Sequence, residues 1–478
     1  MKKICFIFTF FAVFVVNAQS DMDAFRFSQI NWEGTARFMG AGGAFGAVGA
    51  EYSALSINPA TIGLYKRSEA TFTPLVLTVQ KSQCTYNKTL SPYLSTTYSL
   101  TNAGLVIKAK TREESAWKAI QFAVGYNRVN NFNNQFRIEG MSDGSSITTG
   151  FINQANGTHF WNLTRDALLA FNHWLIDTIP GNTNKYYSSF SETDVEQKKY
   201  VKTSGGIDEM NFSLGANYNE QIYIGATLGV PFLKYREEAK YEEIDVNDVV
   251  GGFESFTVSD LLRVSGTGIN FKVGLIYQPV PFFRVGAAFH TPTFYGNLRD
   301  RFERGIESYY DDGDGYSDKP YENSFKYKLT TPLRAIGSVA FIIQKRAFIS
   351  ADYEFTNYGL ATMYAENYSF SQENQDIQDK YGATHSVRIG GELFLTDKFL
   401  ARLGYGFTSN PYKNNINSSS AHSASIGIGV RTKHLFFDLA YAIKFSKENY
   451  WMYSPLYINP SNNQYTTHKV VATVGVKF

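Results

Sequence analysis

Cysteine is nearly absent: Cys5 and Cys84 are the only two in 478 residues, too few for a disulfide framework. After the first 18 residues no apolar run reaches the ~20 residues that a membrane-spanning helix needs. Charge of either sign is unconcentrated, with 45 Lys and Arg against 43 Asp and Glu and a net charge of +2. Nucleic-acid binding would want a basic face, so no nucleic-acid partner is expected. The seven histidines are scattered and suggest neither a metal nor a cofactor. In the glycine-rich stretch 34–50 the spacing is not G-x-G-x-x-G and no Lys-Ser/Thr follows, which argues against a phosphate cradle.

What is abundant is aromatic. Phe and Tyr number 39 and 32, and aromatic residues make up 16% of the chain. Reading back from the end, Phe478, Val476, Val474, Ala472 and Val470 alternate with Lys477, Gly475, Thr473, Val471 and Lys469. A strict period of two ending on a terminal aromatic residue is the pattern of the closing strand of a β-barrel, one face to lipid and one to a lumen. The mean hydropathy of −0.24 fits, because half of a barrel's strand residues face a polar interior. The same alternation sets Ile222, Ile224, Ala226, Leu228, Val230 and Phe232 against Tyr223, Gly225, Thr227 and Gly229.

About fourteen such strands are expected, at 70–80, 93–109, 119–129, 211–218, 222–235, 269–277, 283–295, 325–343, 348–358, 385–395, 399–407, 424–431, 436–445 and 467–478. Very short links at 219–220, 279–281, 344–346, 396–398 and 432–434 alternate with long ones at 130–206, 237–266, 296–323, 359–382 and 447–465. That is the periplasmic and extracellular asymmetry of an outer-membrane barrel, and it puts both termini in the periplasm. The predicted class is therefore an all-β transmembrane antiparallel barrel in the outer membrane of a Gram-negative bacterium.

The start of the chain divides in two. Met1-Lys2-Lys3, an apolar core at 4–16 and the small residues before position 19 predict a secretory signal peptide over 1–18. Its removal leaves Cys84 without a partner. Residues 19–67 do not read as barrel, whereas 68–478 do. Their run of small residues, with Gly42, Gly43, Phe45 and Gly46 at its centre, suits tight packing in a confined space and predicts a plug inside the lumen.

That run leads into Asn58-Pro59-Ala60 shortly before the first strand. The segment resembles the N-terminal hatch of the FadL family of outer-membrane transporters for long-chain fatty acids, which also includes the TodX-type importers of aromatic hydrocarbons. The resemblance implies a plugged fourteen-stranded barrel, a monomer in outer-membrane lipid, with a hydrophobic small molecule as its partner. It also implies passive uptake: capture at the outer loops, transfer to a pocket in the barrel, and a hatch movement that opens a lateral path through the wall. Asn58, Pro59, Ala60, Gly42, Gly43, Phe45 and Gly46 are then the candidate gate.

Two candidate ligand sites follow from pattern. Phe160, Leu163, Ala167, Leu168, Phe171, Trp174 and Leu175 recur at steps of three and four, predicting an amphipathic helix over about 158–177 in the first long loop. Phe160, Leu168, Phe171, Trp174 and Leu175 would form its capture face, or a packed lid. Inside the barrel, strand phasing turns Lys272, Arg284, His290, Arg388, Glu392, Arg402, Arg431, Asp438 and Lys444 inward. Arg388 or Lys272 would meet a fatty-acid carboxylate, although mutual ion pairing is the commoner fate of such charges.

Other patterns are set aside. Gly140-Met141-Ser142-Asp143-Gly144 matches G-x-S-x-G, but residues 145–150 read as loop where a nucleophile elbow needs a helix, so no enzyme is expected. Asp312, Asp314 and Asp318 break the spacing of a calcium loop. Haem is an alternative ligand, with His173 beside Trp174 as its one candidate. A barrel of this kind that docks secretion machinery is the alternative from another class, since the Tyr- and Asn-rich segment 364–379 suits a protein partner as well as a lipid.

Overall fold

The computed structural model describes residues 21–31, 33–111, 114–190, 193–344 and 346–478. The expected leader over 1–18 lies outside them. Fourteen antiparallel barrel strands run up and down: β1 (Glu69–Tyr86), β2 (Thr89–Ser99 and Asn102–Lys110), β3 (Trp117–Asn131 and Asn134–Met141), β4 (Glu196–Tyr218), β5 (Ile222–Ile244), β6 (Ser255–Val280) and β7 (Phe283–His290 and Phe294–Tyr309). The second half is β8 (Tyr321–Thr330 and Arg334–Ile343), β9 (Ala347–Asn357), β10 (Ala383–Phe394), β11 (Phe399–Thr408), β12 (Ala421–Arg431), β13 (Leu435–Tyr450) and β14 (Ser461–Lys477). The cylinder closes where β1 pairs β14, from Glu69 opposite Lys477 to Thr85 opposite Asn462. Closure leaves no free edge at that join, which is the condition for strands to span a bilayer.

Alternation holds as expected. Ile222, Ile224, Leu228 and Phe232 are exposed on the outer wall while Tyr223, Thr227 and Leu233 are buried. The nine inward charges phased from sequence all lie on the lumen side. Several strands run longer than expected, because they continue beyond the apolar belt. The long link at 237–266 is strand except for 245–254, and those at 130–206, 296–323 and 447–465 lose residues to β3, β4, β7, β13 and β14 in the same way. On β5, Arg236, Lys240 and Glu242 replace the outward aliphatic residues while Tyr235, Ala239 and Tyr241 stay buried. Period two persists, but polar residues now stand outside, and Arg236 pairs Glu238 at 2.7 Å.

Above the membrane the loops form a cap with its own core. Helices α3 (Thr148–Ala155) and α4 (Arg165–Asn172) bury Phe151, Ala167 and Ala170 against Phe190, Tyr241, Phe256 and Tyr465. Phe190 stacks edge-on against Phe253 and Phe256, with centroids 4.6 and 4.9 Å away. Each such fully buried aromatic contributes roughly 1.5–3 kcal/mol by removing apolar area from water.

Residues 21–67 thread the lumen from this cap to the periplasmic end. Helix α1 (Asp21–Ser28) lies uppermost, where Phe25 stacks on Tyr381 at 4.6 Å beneath the loop helix α5 (Ser371–Lys380). Three short turns follow, each started by a polar cap: Thr35 for α2 (Ala36–Gly40), Glu51 for the 3₁₀ turn Tyr52–Ser56, and Asn58 for Pro59–Leu64. Pro59 occupies the first position of its turn, where its missing N–H costs nothing.

Candidate functional site: hatch, cavity and wall

The hatch fits because hatch and wall are both stripped of side chains where they meet. A Cβ on Gly46 would lie 2.1 Å from Ser338 Oγ, and one on Gly274 only 1.9 Å from Asn58 Oδ1. Gly42 and Gly43 have φ of +63° and +73°, a turn that side chains rarely adopt. Phe45 is fully buried and packs edge-on against Phe348 of β9 at 5.5 Å. Asn58 ties the segment together. Its Oδ1 accepts from Ala60 N at 3.0 Å, and its Nδ2 donates to Gly46 O at 2.7 Å and to Leu275 O of β6 at 3.4 Å. The structure thus brings Asn58, Gly46 and the wall into one contact.

Charges lock the hatch in place. Arg37 holds Glu392 through two hydrogen bonds of 2.9 and 2.8 Å, and Arg402 donates to the same carboxylate at 2.7 Å. Lys469 pairs with Glu33, and Arg334 donates to Ser28 O. Arg284 and His290 cap Val48 O and Ile57 O at 2.7 and 2.8 Å. Within the hatch, burial pushes the Glu51 carboxyl up to about 7, against the opposing pull of the Thr35 hydroxyl that donates to it. Burial raises Asp23 to about 7 as well, although Arg26 stands 2.7 Å away.

Behind the hatch lies a cavity of about 400 Å³, bounded by Met39, Gly42 and Gly43 and by the inner faces of β9 to β14, and reaching β1 and β3. Its wall is mixed: Thr78, Gln80, Ser386, Ser423, Ser425 and Thr467 stand beside apolar Ile30, Met39, Phe407, Ala442 and Ile443. Arg388 lines this cavity and is paired with Glu354 at 3.0 Å. Lys272 does not line it. Lys272 is buried against Glu209 beside a separate small void of about 30 Å³. Sequence phasing therefore found both cations but could not say that only one faces the space. Lys444 also lines the cavity, and its hydrogen bond goes to the neutral Asn31 Oδ1 at 2.9 Å.

The wall has one unzipped seam among the described residues. The lower half of β2 pairs β3 from Asn102 opposite Asn127 to Lys110 opposite Ala119. Above Thr101 the ladder stops: Thr89–Ser99 pairs only β1, and Asn134–Met141 pairs only β4. Between them β3 bends at Phe132 and Asn133, and its upper half folds across the lumen side of β1 and β2. There Ser82 Oγ donates to Gln135 O at 3.2 Å, and Glu139 N donates to Ser91 Oγ at 3.1 Å. Asn131, Asn133 and Asn134 at the bend also line the cavity, so the cavity reaches the point where the seam begins. Sequence reasoning missed this feature. Its signal was Asn130-Asn131-Phe132-Asn133-Asn134, a run of poor strand formers inside a strand.

The expected loop helix over 158–177 is shorter. A 3₁₀ turn, Phe160–Asn162, precedes α4, which starts at Arg165 because Leu163 and Thr164 adopt extended backbone. The buried face carries Ala167, Leu169 and Ala170, so Leu168 points outward, away from the buried Leu175. Leu175 is buried in the cap, Phe160 and Phe171 stack at 6.0 Å half-buried, and Trp174 stands 58% exposed. Trp161, at 81%, is more exposed still.

The rejected patterns can be placed. The Ser142 hydroxyl donates to Thr193 O and accepts from Val195 N, both at 3.1 Å, so both its bonds go to backbone rather than to a base. Helix α3 does follow that motif, beginning at Thr148, so the loop expected over 145–150 ends sooner than its sequence suggests. His173 is buried in the cap and its Nδ1 bonds Leu169 O at 2.8 Å, so it faces no groove. Asp312 accepts from Asp314 N in an exposed loop.

No protein-family model and no curated protein sequence matches the chain. Solved structures do. A Pseudomonas aeruginosa FadL homologue superposes with a TM-score of 0.56 at 14% identity, over 94% of this chain and 99% of that chain. The Pseudomonas putida toluene transporter TodX gives 0.51 at 13% identity, over 94% and 100%. The CymD monoaromatic hydrocarbon channel gives 0.50 at 13% identity, over 94% and 99%. The chain has the fold of the FadL and TodX outer-membrane transporters, a plugged fourteen-stranded barrel.

Proposed function

We propose that this outer-membrane barrel is a passive channel for hydrophobic small molecules, that it is not an enzyme, and that long-chain fatty acids are the cargo it suits best. One observation carries the reading: the cavity behind the hatch reaches the bend of β3 at which the wall between β2 and β3 becomes unpaired. A channel for polar solutes needs only an axial bore. A side opening at membrane level lets an apolar molecule leave into lipid without crossing water. The mixed cavity lining favours an amphiphile over a plain hydrocarbon, because a carboxylate can be received among its hydroxyl, amide and cationic groups while the tail lies on its apolar part and along the seam. Lys444 is the best-placed cation, since it lies in none of the ion pairs among the described residues, whereas Arg388 shares Glu354 with Arg334.

Deleting Phe132 and Asn133 lets the β2–β3 ladder continue and closes the seam. Proteoliposomes carrying that variant are expected to lose oleate uptake while the barrel still folds, and Asn58→Ala, which loosens the hatch, is expected to change the rate. Lys444→Met should slow oleate and spare a neutral hydrocarbon of similar length. Oleate uptake unchanged by the deletion, or absent in the wild type, overturns the reading and favours a docking role.

A further inference from the structure

The outer wall carries a repeated pair that the transport path does not use. Tyr353 bonds His385 Nδ1 at 2.7 Å, Tyr405 bonds His422 Nδ1 at 2.9 Å, and Tyr441 bonds His468 Nδ1 at 2.7 Å. Each pair bridges one hairpin, β9–β10, β11–β12 or β13–β14. The positions match: each tyrosine stands six residues beyond the first residue of its strand (Ala347, Phe399, Leu435). Each histidine stands nine before the last of its strand (Phe394, Arg431, Lys477). Nine residues of a strand tilted by about 40° rise roughly 23 Å, so the histidines sit near the outer rim of an apolar band about 25 Å tall.

The belt covers one side only. Six residues into β5 and β7 stand Leu228 and Phe289, and nine from the end of β6 stands Phe271, all apolar and exposed. Ordinary interfacial aromatics would not need a hydrogen-bonded imidazole three times over in register. In the tautomer in which the phenol donates to Nδ1, the ring proton sits on Nε2, directed away from the tyrosine. Three donors at one height therefore meet the headgroup boundary along β9 to β14.

Charge counts here in combination with the belt. Above β5 to β8, Arg236, Arg263 and Arg301 are paired with Glu238, Glu303 and Glu322, whereas Lys234, Arg299 and Lys326 are exposed and lie in none of the ion pairs among the described residues, without imidazoles below them. Above the belt, Lys447 of β13 and Lys413, in the loop between β11 and β12, are exposed and lie in none of the ion pairs among the described residues. Lys413 donates instead to Gln378 O at 2.7 Å. An arc with imidazole donors at the rim and unneutralised ammonium groups above it is complementary to a phosphate held at that height.

We propose that the β9–β14 wall is a docking face for phosphate-bearing lipid of the outer leaflet. His385, His422 and His468 donate from Nε2, and Lys413 and Lys447 pair with the phosphate. The full chain would be reconstituted in phosphatidylcholine nanodiscs containing a small fraction of lipid A, and lipid retained by the protein measured by native mass spectrometry. The wild type is expected to retain lipid A over its dephosphorylated form. The triple variant His385→Phe, His422→Phe, His468→Phe, which keeps the aromatic belt, should lose that preference by at least about ten-fold, the worth of a single hydrogen bond to a charged phosphate. The corresponding triple Gln variant keeps a donor at each site and should retain it, and its folding serves as the check if the Phe variant misfolds. Equal retention by the Phe variant, or equal retention of dephosphorylated lipid, overturns the proposal. Displacement of lipid A by millimolar inorganic phosphate also overturns it, by showing a site for the free anion.

Discussion

Arg37 of the hatch and Glu392 of β10 are joined by two parallel hydrogen bonds of 2.9 and 2.8 Å, although 355 positions separate them. A bidentate guanidinium–carboxylate pair is directional, so it sets the rotation of the hatch as well as its depth. Glu392 also accepts from Arg402, and its side chain is almost fully buried. Glu392→Gln leaves the partly buried Arg37 guanidinium without its counter-charge, while Arg402 keeps Asp438 at 2.8 Å, so the loss is about 3 kcal/mol. Amides of α2 are expected to exchange with solvent at least ten-fold faster, with the barrel strands unaffected. Arg37→Leu should be milder, because Glu392 keeps Arg402.

The hatch is expected to loosen as pH rises. Burial lifts the Glu51 carboxyl from 4.5 to about 7, so the folded hatch binds a proton there that the released hatch gives up. The stabilisation is fully present below 4.5 and is lost as pH climbs through 7. Asp23, raised to about 7 by burial, adds a contribution of the same sign. Denaturation midpoints measured from pH 5 to pH 8 should fall, and Glu51→Gln should flatten the Glu51 part of the slope. An unchanged slope in that variant would show that Glu51 is ionised throughout.

Gly274 and Asn58 are predicted to be energetically coupled. Alanine at 274 would place its Cβ 1.9 Å from Asn58 Oδ1, an overpacking cost of about 1–3 kcal/mol. Asn58→Ala costs about 1 kcal/mol as a lost cap, and removes the atom that clashes. The double variant should therefore be more stable than the sum of the singles by about 1 kcal/mol or more. Simple additivity would mean that the hatch shifts away from β6 when either residue changes.

How much of this was legible depends on the range of the interaction. Strands were readable because a wall with lipid on one side and water on the other imposes period two on consecutive residues, as in 222–232. The hatch was readable because confinement selects small residues locally, as at Gly42, Gly43 and Gly46. Partners were not. Nothing in spacing joins Arg37 to Glu392, which the threading of the hatch through the lumen sets, or Tyr441 to His468, which the register across the β13–β14 hairpin sets. Strand ends were misjudged wherever outward aliphatic residues gave way to charge, as at Arg236, since leaving the membrane removes the demand for apolar residues and leaves the ladder intact. The spacing puts Leu168 and Leu175 on one face, and the structure separates them: extended backbone at Leu163 and Thr164 delays the helix to Arg165, so Leu168 is exposed while Leu175 is buried.

The two most exposed tryptophans of the cap should govern capture of dilute cargo. Trp161 and Trp174 stand 81% and 58% exposed on the same stretch of the cap as the outward Leu168. Water-exposed indole of this extent gains by covering itself with an apolar ligand, at about 25 cal/mol per Å² of area removed from water. Trp161→Ser with Trp174→Ser is expected to raise the half-saturating oleate concentration about five- to thirty-fold, corresponding to a loss of about 1–2 kcal/mol. The maximal rate should be unchanged, because hatch movement and exit through the seam lie beyond the capture step. Leu169→Ala, one turn away but facing the cap core, should lower the thermal stability of the cap and leave the half-saturating concentration near that of the wild type. If the tryptophan variant instead lowers the maximal rate at an unchanged half-saturating concentration, these residues act on the gate rather than on capture.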